Sequence, residues 1–470
     1  MADLWLLGSK QEVFLICQSR RESDQDMTNI FKNFFLGGLY EDKELEDIFC
    51  ESSYLESILF FESSLAKVQA ELGIIPKLSA NAIRKKLRKI SLEDIKNLSV
   101  SNNDGVIIPK LIKHLKYNIL FKRDAEYLHW GVSSQDVIDS VQSLQLHKFI
   151  NLLDKRLKSF IELGVEKALA YKNMPVAART RGQIATVTSF GAKLSSNFLP
   201  ILNQRIKLLE AKSKILQLSL GGSSGNLIAF GKNSDDLARL LSEELNLYNP
   251  LMPWHNNREG FLELTSILTA TTASFGKFGA DVLSMTQSEL GELEVSEPGS
   301  SSVMPHKKNP IRAEALIAIA DLNSLLNSAM SSSMVHRNER DGVAWTKEIL
   351  VLPQIACAAA VSCKQALILL SNIVPNEDNM ARTIKMTNGL IFSERAVYEL
   401  AKSCGKREAE RVVSEAVRQV SVKKSHLSSE LKISFGEKEE LAKIFDPVGN
   451  LGEAPDFVER FCRRAKEKNL

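Results

Sequence analysis

Glycine and proline are scarce in this sequence. The 470 residues include 24 Gly and 13 Pro, about 8% of the chain against about 12% in average soluble proteins. Because these residues mark turns and breaks, their scarcity argues against a fold of many short strands and favours long helices. Hydrophobic residues (44%) and charged residues (25%) occur in ordinary globular proportion, which excludes a disordered chain.

An excess of charge of one sign is also absent. Lys and Arg number 60 and Asp and Glu number 57, so the formal net charge is only +3 at pH 7. Nucleic-acid binders depend on a dense positive surface that attracts phosphates. We therefore expect no nucleic-acid partner.

The sequence lacks a long apolar run and a cysteine framework. The longest uncharged stretches, 215–231 and 349–363, have 17 and 15 residues, below the roughly 20 that cross a membrane as a helix, so no membrane contact is expected. Residues 1–27 lack the pattern of a signal peptide and are predicted to be an N-terminal extension. The six cysteines form no CxxC pair and no cluster with histidine. This pattern predicts no disulfide framework and no metal site, and it suits a reducing, cytoplasmic compartment.

What the sequence does contain is apolar residues at helical spacing. From Leu55 to Leu72 they recur every three or four residues, which predicts a helix of about six turns that begins at Glu51 and ends before Gly73. The same spacing recurs over 150–170, 198–220, 262–282, 313–330 and 357–370. Helices this long bury their apolar stripes against one another, so the predicted fold class is all-α.

Three helical domains are predicted after the extension. An N-terminal helical domain covers 28–148, and a central bundle of long helices covers 149–372. At 373–389 the composition turns polar and includes a Pro-Asn turn. A smaller C-terminal helical domain is therefore predicted over 373–470.

The most informative stretch is EPGSSSVMPHKKNP, residues 297–310. Gly, Pro and three consecutive Ser predict a loop. Its hydroxyl and backbone N–H groups beside Lys307 and Asn309 suit a site that holds an anion and presents a serine for reaction, although composition alone also fits a solvated linker. The order of residues, SSxMPxKxNP, resembles the signature loop of the fumarase/aspartase superfamily.

That resemblance implies reversible β-elimination, in which a base removes a proton α to a carboxylate and a leaving group departs from the β carbon. By motif match, Ser301 is the catalytic base. Ser302, Met304, Lys307 and Asn309 are assigned to substrate binding. A serine acts as a base only where donors and positive charge lower its pKa, which is a reason for Lys307 to lie six residues on.

A second motif, HWGVSSQD, begins at His129. Ser133 and Asp136, three residues apart before an apolar run, predict a capping box, and the free N–H groups of a helix start attract carboxylates. A purely structural cap fits these residues too. Because HWGxxSQD resembles the first motif region of the superfamily, the resemblance implies that His129, Ser133 and Ser134 bind a substrate carboxylate.

The third motif, ARTRGQIATVTSFG, contains Thr180 and Arg181. At this place the adenylosuccinate lyases of the superfamily carry a Thr-His pair, and that histidine is the general acid. Arginine stays protonated and cannot serve as that acid, but it can clamp a carboxylate. This agrees with the cycloisomerase branch, in which a substrate carboxylate is itself the nucleophile. The resemblance therefore assigns Thr180 and Arg181 to substrate binding.

Three weaker stretches resemble the same branch, and each contributes one candidate. PWHNNR contributes Arg258 as a carboxylate ligand, QLSLGGSSG contributes Gln217 as a substrate contact, and HRNERDGVAWTKE contributes His336. His129 and His336 are both candidate proton partners of Ser301. A single His or Trp in such stretches is more often part of the core than of a site.

The resemblance covers nearly the whole chain and implies conversion of 3-carboxy-cis,cis-muconate, a small polycarboxylate, to a carboxymuconolactone in the β-ketoadipate pathway. It implies no cofactor and no metal. It also implies a cytoplasmic homotetramer in which three subunits build each active site. Two alternatives remain open: an adenylosuccinate lyase, and a catalytically silent relative retained as a structural or binding protein.

Overall fold

The computed structural model describes residues 37–95, 97–98, 105–300, 303–435 and 439–468. Within them α-helices dominate, and the named strands form two small two-stranded sheets. The predicted all-α class is confirmed. The predicted extension 1–27 lies outside the described residues.

The N-terminal part of the described chain consists of short helices around one long one. They are α1 (Lys43–Phe49), α2 (Glu51–Glu71), α3 (Lys77–Leu87), α4 (Leu92–Ile95), α5 (Ile108–His114), a π-helical turn (Leu115–Ile119) and α6 (Lys122–Ala125). Helix α2 matches the predicted helix because its buried face carries the apolar repeat from Leu55 to Val68. Gly73, at φ +72°, follows it in a left-handed conformation.

Five long helices and two short ones form the central bundle. In chain order they are α7 (Ser134–Ala170), α8 (Phe190–Glu210), the short α9 (Lys212–Ile215) and α10 (Ser234–Leu245), α11 (Glu259–Met285), α12 (Ile311–Ser332) and α13 (Gly342–Asn372). Their core contains edge-to-face aromatic pairs, with the Phe160 ring 5.2 Å from Phe198 and 5.1 Å from Phe275 between centroids. Helices α11 and α12 approach closely at Gly279, where a Cβ would lie 2.7 Å from the Ala313 carbonyl oxygen.

The predicted helix over 198–220 is too long, because α8 ends ten residues earlier. The short α9 follows and ends at Ile215, after which residues 216–220 are not helical. Backbone carbonyls of this segment accept hydrogen bonds from serine hydroxyls of α7. Ser143 donates to the Gln217 carbonyl at 2.9 Å, and Ser140 donates to that of Ser219 at 3.1 Å. Apolar residues continue through this buried segment, so their spacing alone did not reveal the end of the helix.

The long helices lie side by side, with α7, α11 and α13 running in one direction and α8 and α12 in the other, so the bundle has two ends. The capping end lies around Ser134, where Asp139 on α7 binds Arg258, the residue before α11. The hairpin end lies around Ala170, where Lys167 donates to the carbonyl of the residue that follows α13, at 3.2 Å. With 37 residues, α7 separates the two ends by about 55 Å.

Both sheets lie at the hairpin end. They pair β1 (Pro175–Thr180) with β2 (Gln183–Ser189), and β3 (Leu293–Val295) with β4 (Ile373–Pro375), all antiparallel. The turn between β1 and β2 is Arg181-Gly182, at φ +53° and +76°, the left-handed pair that a tight two-residue hairpin turn requires. These strands were not predicted from the sequence, since they are short and lie between long helices.

The C-terminal helices build a second, smaller core. They are α14 (Glu377–Lys385), α15 (Ser393–Cys404), α16 (Lys406–Lys423), α17 (Leu427–Phe435), α18 (Glu439–Ile444) and α19 (Ala454–Glu467). The second core includes Ala177 and Val187 of the β1–β2 hairpin. Helix α19 instead packs on the central core through Val458 and Phe461. The predicted domain boundaries stay a prediction.

Helix α13 is, among the described helices, the one long and apolar enough to cross a membrane. In its most apolar stretch, 67% of the residues are buried inside the protein. This is the environment of a core helix of the bundle.

Candidate active site

The start of α7 forms one half of the candidate site. The Ser133 hydroxyl accepts from the Asp136 N–H, and the Asp136 carboxylate accepts from the Ser133 N–H at 2.7 Å, so the predicted capping box is confirmed. Ser133 and Ser134 are both half-buried. Because the first N–H groups of a helix have no partner within it, this helix start is a place for a carboxylate.

Asp136 fixes the Gly-rich segment against this helix start. Its buried carboxylate accepts from the N–H groups of Gly221 and Gly222 at 2.7 and 3.1 Å, and from His255 Nε2 at 2.8 Å. A Cβ on Gly221 would lie 2.5 Å from the His255 ring, so this close approach requires glycine. Gln217, the predicted contact in this segment, lies beside α7 at Ser143, well beyond the start of that helix. Its side-chain amide donates to the Ser213 carbonyl. The structure does not bring it to the helix start.

Arg340 supplies a positive charge at the same place. Its Nη2 donates to the Ser133 hydroxyl at 2.8 Å, to the Gly222 carbonyl, and to His255 Nδ1 at 3.4 Å. Because His255 Nε2 donates to Asp136, its Nδ1 is the acceptor, which fixes the tautomer. Asp136, His255 and Arg340 were not predicted as site residues, although each lies in one of the motifs.

His129 lies close to this helix start and is bound to a buried acid. Its backbone is left-handed, at φ +59°, and its Nδ1 donates to the buried Glu62 carboxylate at 2.6 Å. Burial lowers the pKa of His129, but the charge and hydrogen bond of Glu62 outweigh burial, and the pKa is raised above its ordinary value. Glu62 was not predicted, because a single acid within an apolar helical repeat belongs to no motif.

Arg258, predicted as a carboxylate ligand, has neither the exposure nor the free donors that a substrate ligand needs. The side chain is fully buried, and it donates from Nη1 to Asp139 at 2.7 Å, from Nε to Glu348 at 2.8 Å, and from Nη2 to both. Trp254 and Phe261 lie against the guanidinium, with ring centroids at 4.5 and 4.8 Å. Two carboxylates thus neutralise Arg258 inside the core.

His336, the other candidate proton partner, is half-buried near Arg258. Its two ring nitrogens are buried and have no hydrogen-bond partner among the described residues. Burial and the positive charge of Arg258 lower the pKa of His336, so its ring is neutral at pH 7. A neutral imidazole can accept a proton and a charged one can donate it, so His336 and His129 suit opposite roles.

The β1–β2 hairpin carries two predicted residues at the opposite end of the bundle. Thr180 and Arg181 are exposed at its tip. Below the tip, Arg179 forms a bidentate pair with the buried Glu292, at 2.8 and 2.9 Å. Because Glu292 precedes β3, this pair ties the hairpin to the segment that leads into the signature loop.

The signature loop lies at the hairpin end as well. Its two arms are joined by a backbone bridge between Gly299 and Asn309, with N···O distances of 2.8 and 3.0 Å. Met304 and Lys307 are exposed. The predicted base and the serine after it, at 301–302, lie outside the described residues.

The predicted site residues therefore fall into two groups. His129, Ser133 and Ser134 lie at the capping end together with Arg340, whereas the hairpin tip and the signature loop lie at the hairpin end. The 37 residues of α7 place about 55 Å between them, so one chain does not bring the two groups together. No group of three or more His, Cys, Asp or Glu in the described part of the chain is arranged to hold a metal ion.

Comparison with known proteins places the chain among lyases. A lyase family model matches residues 39–321, and a model of the adenylosuccinate lyase C-terminus matches 389–461. A 3-carboxy-cis,cis-muconate cycloisomerase of Pseudomonas aeruginosa is 32% identical over 451 residues, which cover 93% of this chain and 96% of that protein. An adenylosuccinate lyase of Methanocaldococcus jannaschii is 28% identical, with coverage of 91% and 95%.

A solved structure resembles the whole fold. The 3-carboxy-cis,cis-muconate lactonizing enzyme of Pseudomonas putida gives a TM-score of 0.83 at 28% identity, covering 92% of this chain and 99% of that one. The lyase model spans more than half of the sequence, and these relatives align over more than nine-tenths of both chains. On these grounds the chain belongs to the fumarase/aspartase superfamily of lyases.

Proposed function

We propose that this protein is a 3-carboxy-cis,cis-muconate cycloisomerase, which converts its substrate to a carboxymuconolactone in the β-ketoadipate pathway by reversible addition and elimination. The observation that carries the proposal is Arg181 at an exposed hairpin tip, in a chain whose full-length relatives include four proteins of that name. Neither a metal nor a cofactor takes part in the proposed reaction.

Arg181 fits lactonisation better than elimination of a neutral leaving group. In lactonisation, one substrate carboxylate adds across the conjugated double bond, and in the reverse reaction that carboxylate leaves without needing a proton. An acid at position 181 is then unnecessary, while a guanidinium binds a carboxylate with two parallel hydrogen bonds. Thr180 lies beside it at the tip and is assigned to the same substrate group.

The capping end provides the charge that a tricarboxylate substrate requires. Arg340 donates to the neutral hydroxyl, carbonyl and imidazole acceptors around it, so these contacts leave its charge uncompensated. His129 adds a second cation, and the helix start at Ser133 and Ser134 adds N–H donors. Charge-assisted hydrogen bonds of this kind are stronger than neutral ones.

The signature loop supplies the acid/base chemistry in this proposal. In the lactonising direction, the protonated Ser301 delivers H⁺ to the carbon α to a second carboxylate, and in reverse its alkoxide removes that proton. Lys307 stabilises the alkoxide, while Ser302, Met304 and Asn309 shape the loop around the substrate. Hydrogen-bond donors aimed at the negative charge that develops on the carboxylate are usually the largest contribution to the rate enhancement in such sites.

We also propose a homotetramer in which three subunits build each site. The separation of about 55 Å along α7 supports shared sites, since one chain cannot supply both groups of residues. Exposed apolar residues on two neighbouring bundle helices support self-association: Leu322 and Leu325 on α12 are 44% and 72% exposed, and Leu350 on α13 is 62% exposed. A cytoplasmic location belongs to the same proposal.

Adenylosuccinate lyase remains the second candidate. The C-terminal model match over 389–461 and the archaeal relative favour it. Arg181 argues against it, because an amine leaving group needs a proton that a guanidinium does not give.

Direct assay separates the candidate activities. The purified protein is incubated with 3-carboxymuconate, whose conjugated-diene absorbance falls on lactonisation, and separately with adenylosuccinate. We expect turnover of the first alone, abolished by Ser301→Ala. Turnover of adenylosuccinate alone would contradict the proposal in favour of the lyase. Activity on neither substrate would favour the remaining alternative, a catalytically silent relative that serves as a structural or binding protein.

Assembly and site sharing are tested separately. Light scattering is expected to give the mass of four 52.3 kDa chains. Subunits of Ser301→Ala and Arg181→Ala, dissociated, reassociated together and assayed well below the KM of the Arg181 variant, where both parents have little activity, should regain about a quarter of the native activity if the two residues of a site come from different subunits. A monomer, or a mixture as inactive as its parents, would contradict the shared site.

A further inference from the structure

The buried face of α2 holds the loop that carries His129. Two polar side chains seven residues apart, and so on one face of the helix, reach this loop. Gln69 donates to the Trp130 carbonyl at 2.8 Å, and Glu62 accepts from His129 Nδ1 at 2.6 Å. Both Gln69 and Glu62 are buried. They fix a loop in which His129 has a left-handed backbone.

The contact between Glu62 and His129 joins two groups in a nearly closed environment. The side chain of Glu62 is 0% exposed and that of His129 is 16% exposed. The second carboxylate oxygen of Glu62 has no hydrogen-bond partner among the described residues. Because a buried carboxylate is costly unless it is compensated, this arrangement favours a charged imidazole at His129.

The other charged groups that act on the His129 ring come from two neighbouring elements. Lys116, in the π-helical turn, lowers the pKa of His129, and Asp136, in α7, raises it. Burial lowers it as well, so the net rise depends on Glu62. With Nδ1–H bound to Glu62, a doubly protonated ring keeps one further donor, Nε2–H.

We propose that Glu62 is a positioning residue, which holds His129 in its charged, doubly protonated form so that Nε2–H is available to a substrate carboxylate. This inference rests on the proposed function, since it takes the substrate to be a polycarboxylate. Glu62 acts through His129 and does not touch the substrate. The informative variant is Glu62→Gln, whose amide oxygen can accept from Nδ1–H but brings no charge.

Glu62→Gln is expected to raise KM about tenfold at pH 8, as a hydrogen bond from a charged donor becomes a neutral one, with kcat changed less than KM. Without the charge of Glu62, burial and Lys116 lower the pKa of His129, so the ring of the variant regains its proton only below the ordinary value of about 6.5. The difference in KM should therefore narrow as the pH is lowered toward about 5. Glu71→Gln is the matched control, because Glu71 is exposed on the same helix, and it should leave KM unchanged. Equal KM profiles for Glu62→Gln and wild type would overturn the proposal.

Histidine C2 hydrogen–deuterium exchange, read by mass spectrometry on the assembled protein, tests the same inference without an activity assay. We expect the pKa of His129 to lie above its ordinary value in the wild type and to fall in Glu62→Gln. A wild-type value below the ordinary range would overturn the proposal, even where the variant fails to assemble. A wild type inactive on 3-carboxymuconate would refute the proposed function, while the titration would still decide the role of Glu62.

Discussion

Replacing Arg258 by methionine tests whether this residue serves the core or the substrate. Methionine keeps much of the apolar volume and removes the guanidinium. In the wild type that guanidinium lies between the carboxylates of Asp139 and Glu348, and all three side chains are fully buried. Arg258→Met therefore leaves two buried acids without their cation.

The expected loss of stability is large and depends on pH. Removing one partner of a buried pair costs about 3–5 kcal/mol of unfolding free energy, and here two carboxylates lose their partner. Burial already raises the pKa of Glu348 although Arg258 lowers it, so without Arg258 the pKa rises further. A carboxyl with a raised folded-state pKa binds extra protons in the folded state, so stability falls as pH rises through that pKa. The defect should be greater at pH 8 than at pH 6.

Urea unfolding followed by tryptophan fluorescence measures this defect, since Trp254 lies against the guanidinium. The double variant Arg258→Met/Glu348→Gln is the internal control: with one of the two charges removed, it should recover part of the lost stability at pH 8. An unchanged unfolding midpoint together with a raised KM would refute the reasoning, because Arg258 would then act on the substrate.

Three further outcomes are expected. Ser301→Ala should lose several orders of magnitude in kcat with its assembly intact by light scattering, and near-normal turnover would exclude Ser301 as the base. Arg181→His should chiefly raise KM in steady-state assays, and an unchanged KM would count against carboxylate clamping. Arg340→Met should raise KM for 3-carboxymuconate by about tenfold or more, with a much smaller change in urea stability than Arg258→Met. An unchanged KM together with a large loss of stability would show that Arg340 serves the core and not the substrate.

The features that the sequence predicted well are local in the chain. The helix that begins at Glu51 follows from an apolar repeat, and the capping box follows from Ser133 and Asp136, three residues apart. The contacts that complete the candidate site are not local. Glu62 is 67 residues from His129, and Arg340 is 207 residues from Ser133, so no spacing in the sequence could join them.

Arg258 shows a different limit of sequence reasoning. A motif gives the position of a cation but not the acids that surround it. Asp139 and Glu348 are 119 and 90 residues away from Arg258 in the chain, and only the fold brings both to its guanidinium. The motif match therefore gave the position of the arginine but not the two acids that bind it in the core.

Charge compensation is the property that separates the arginines of the capping end. A cation is available to a substrate carboxylate only where the protein has not already neutralised it. Asp139 and Glu348 neutralise Arg258 in the core. Asp136, one turn before Asp139 on α7, is instead satisfied by N–H and O–H donors and by His255. The Ser133 hydroxyl binds both groups and lies between Asp136 and Arg340. We therefore expect the charge of Arg340 to be available to a substrate carboxylate, so that the two acids of one helical turn would divide the arginines between structure and binding.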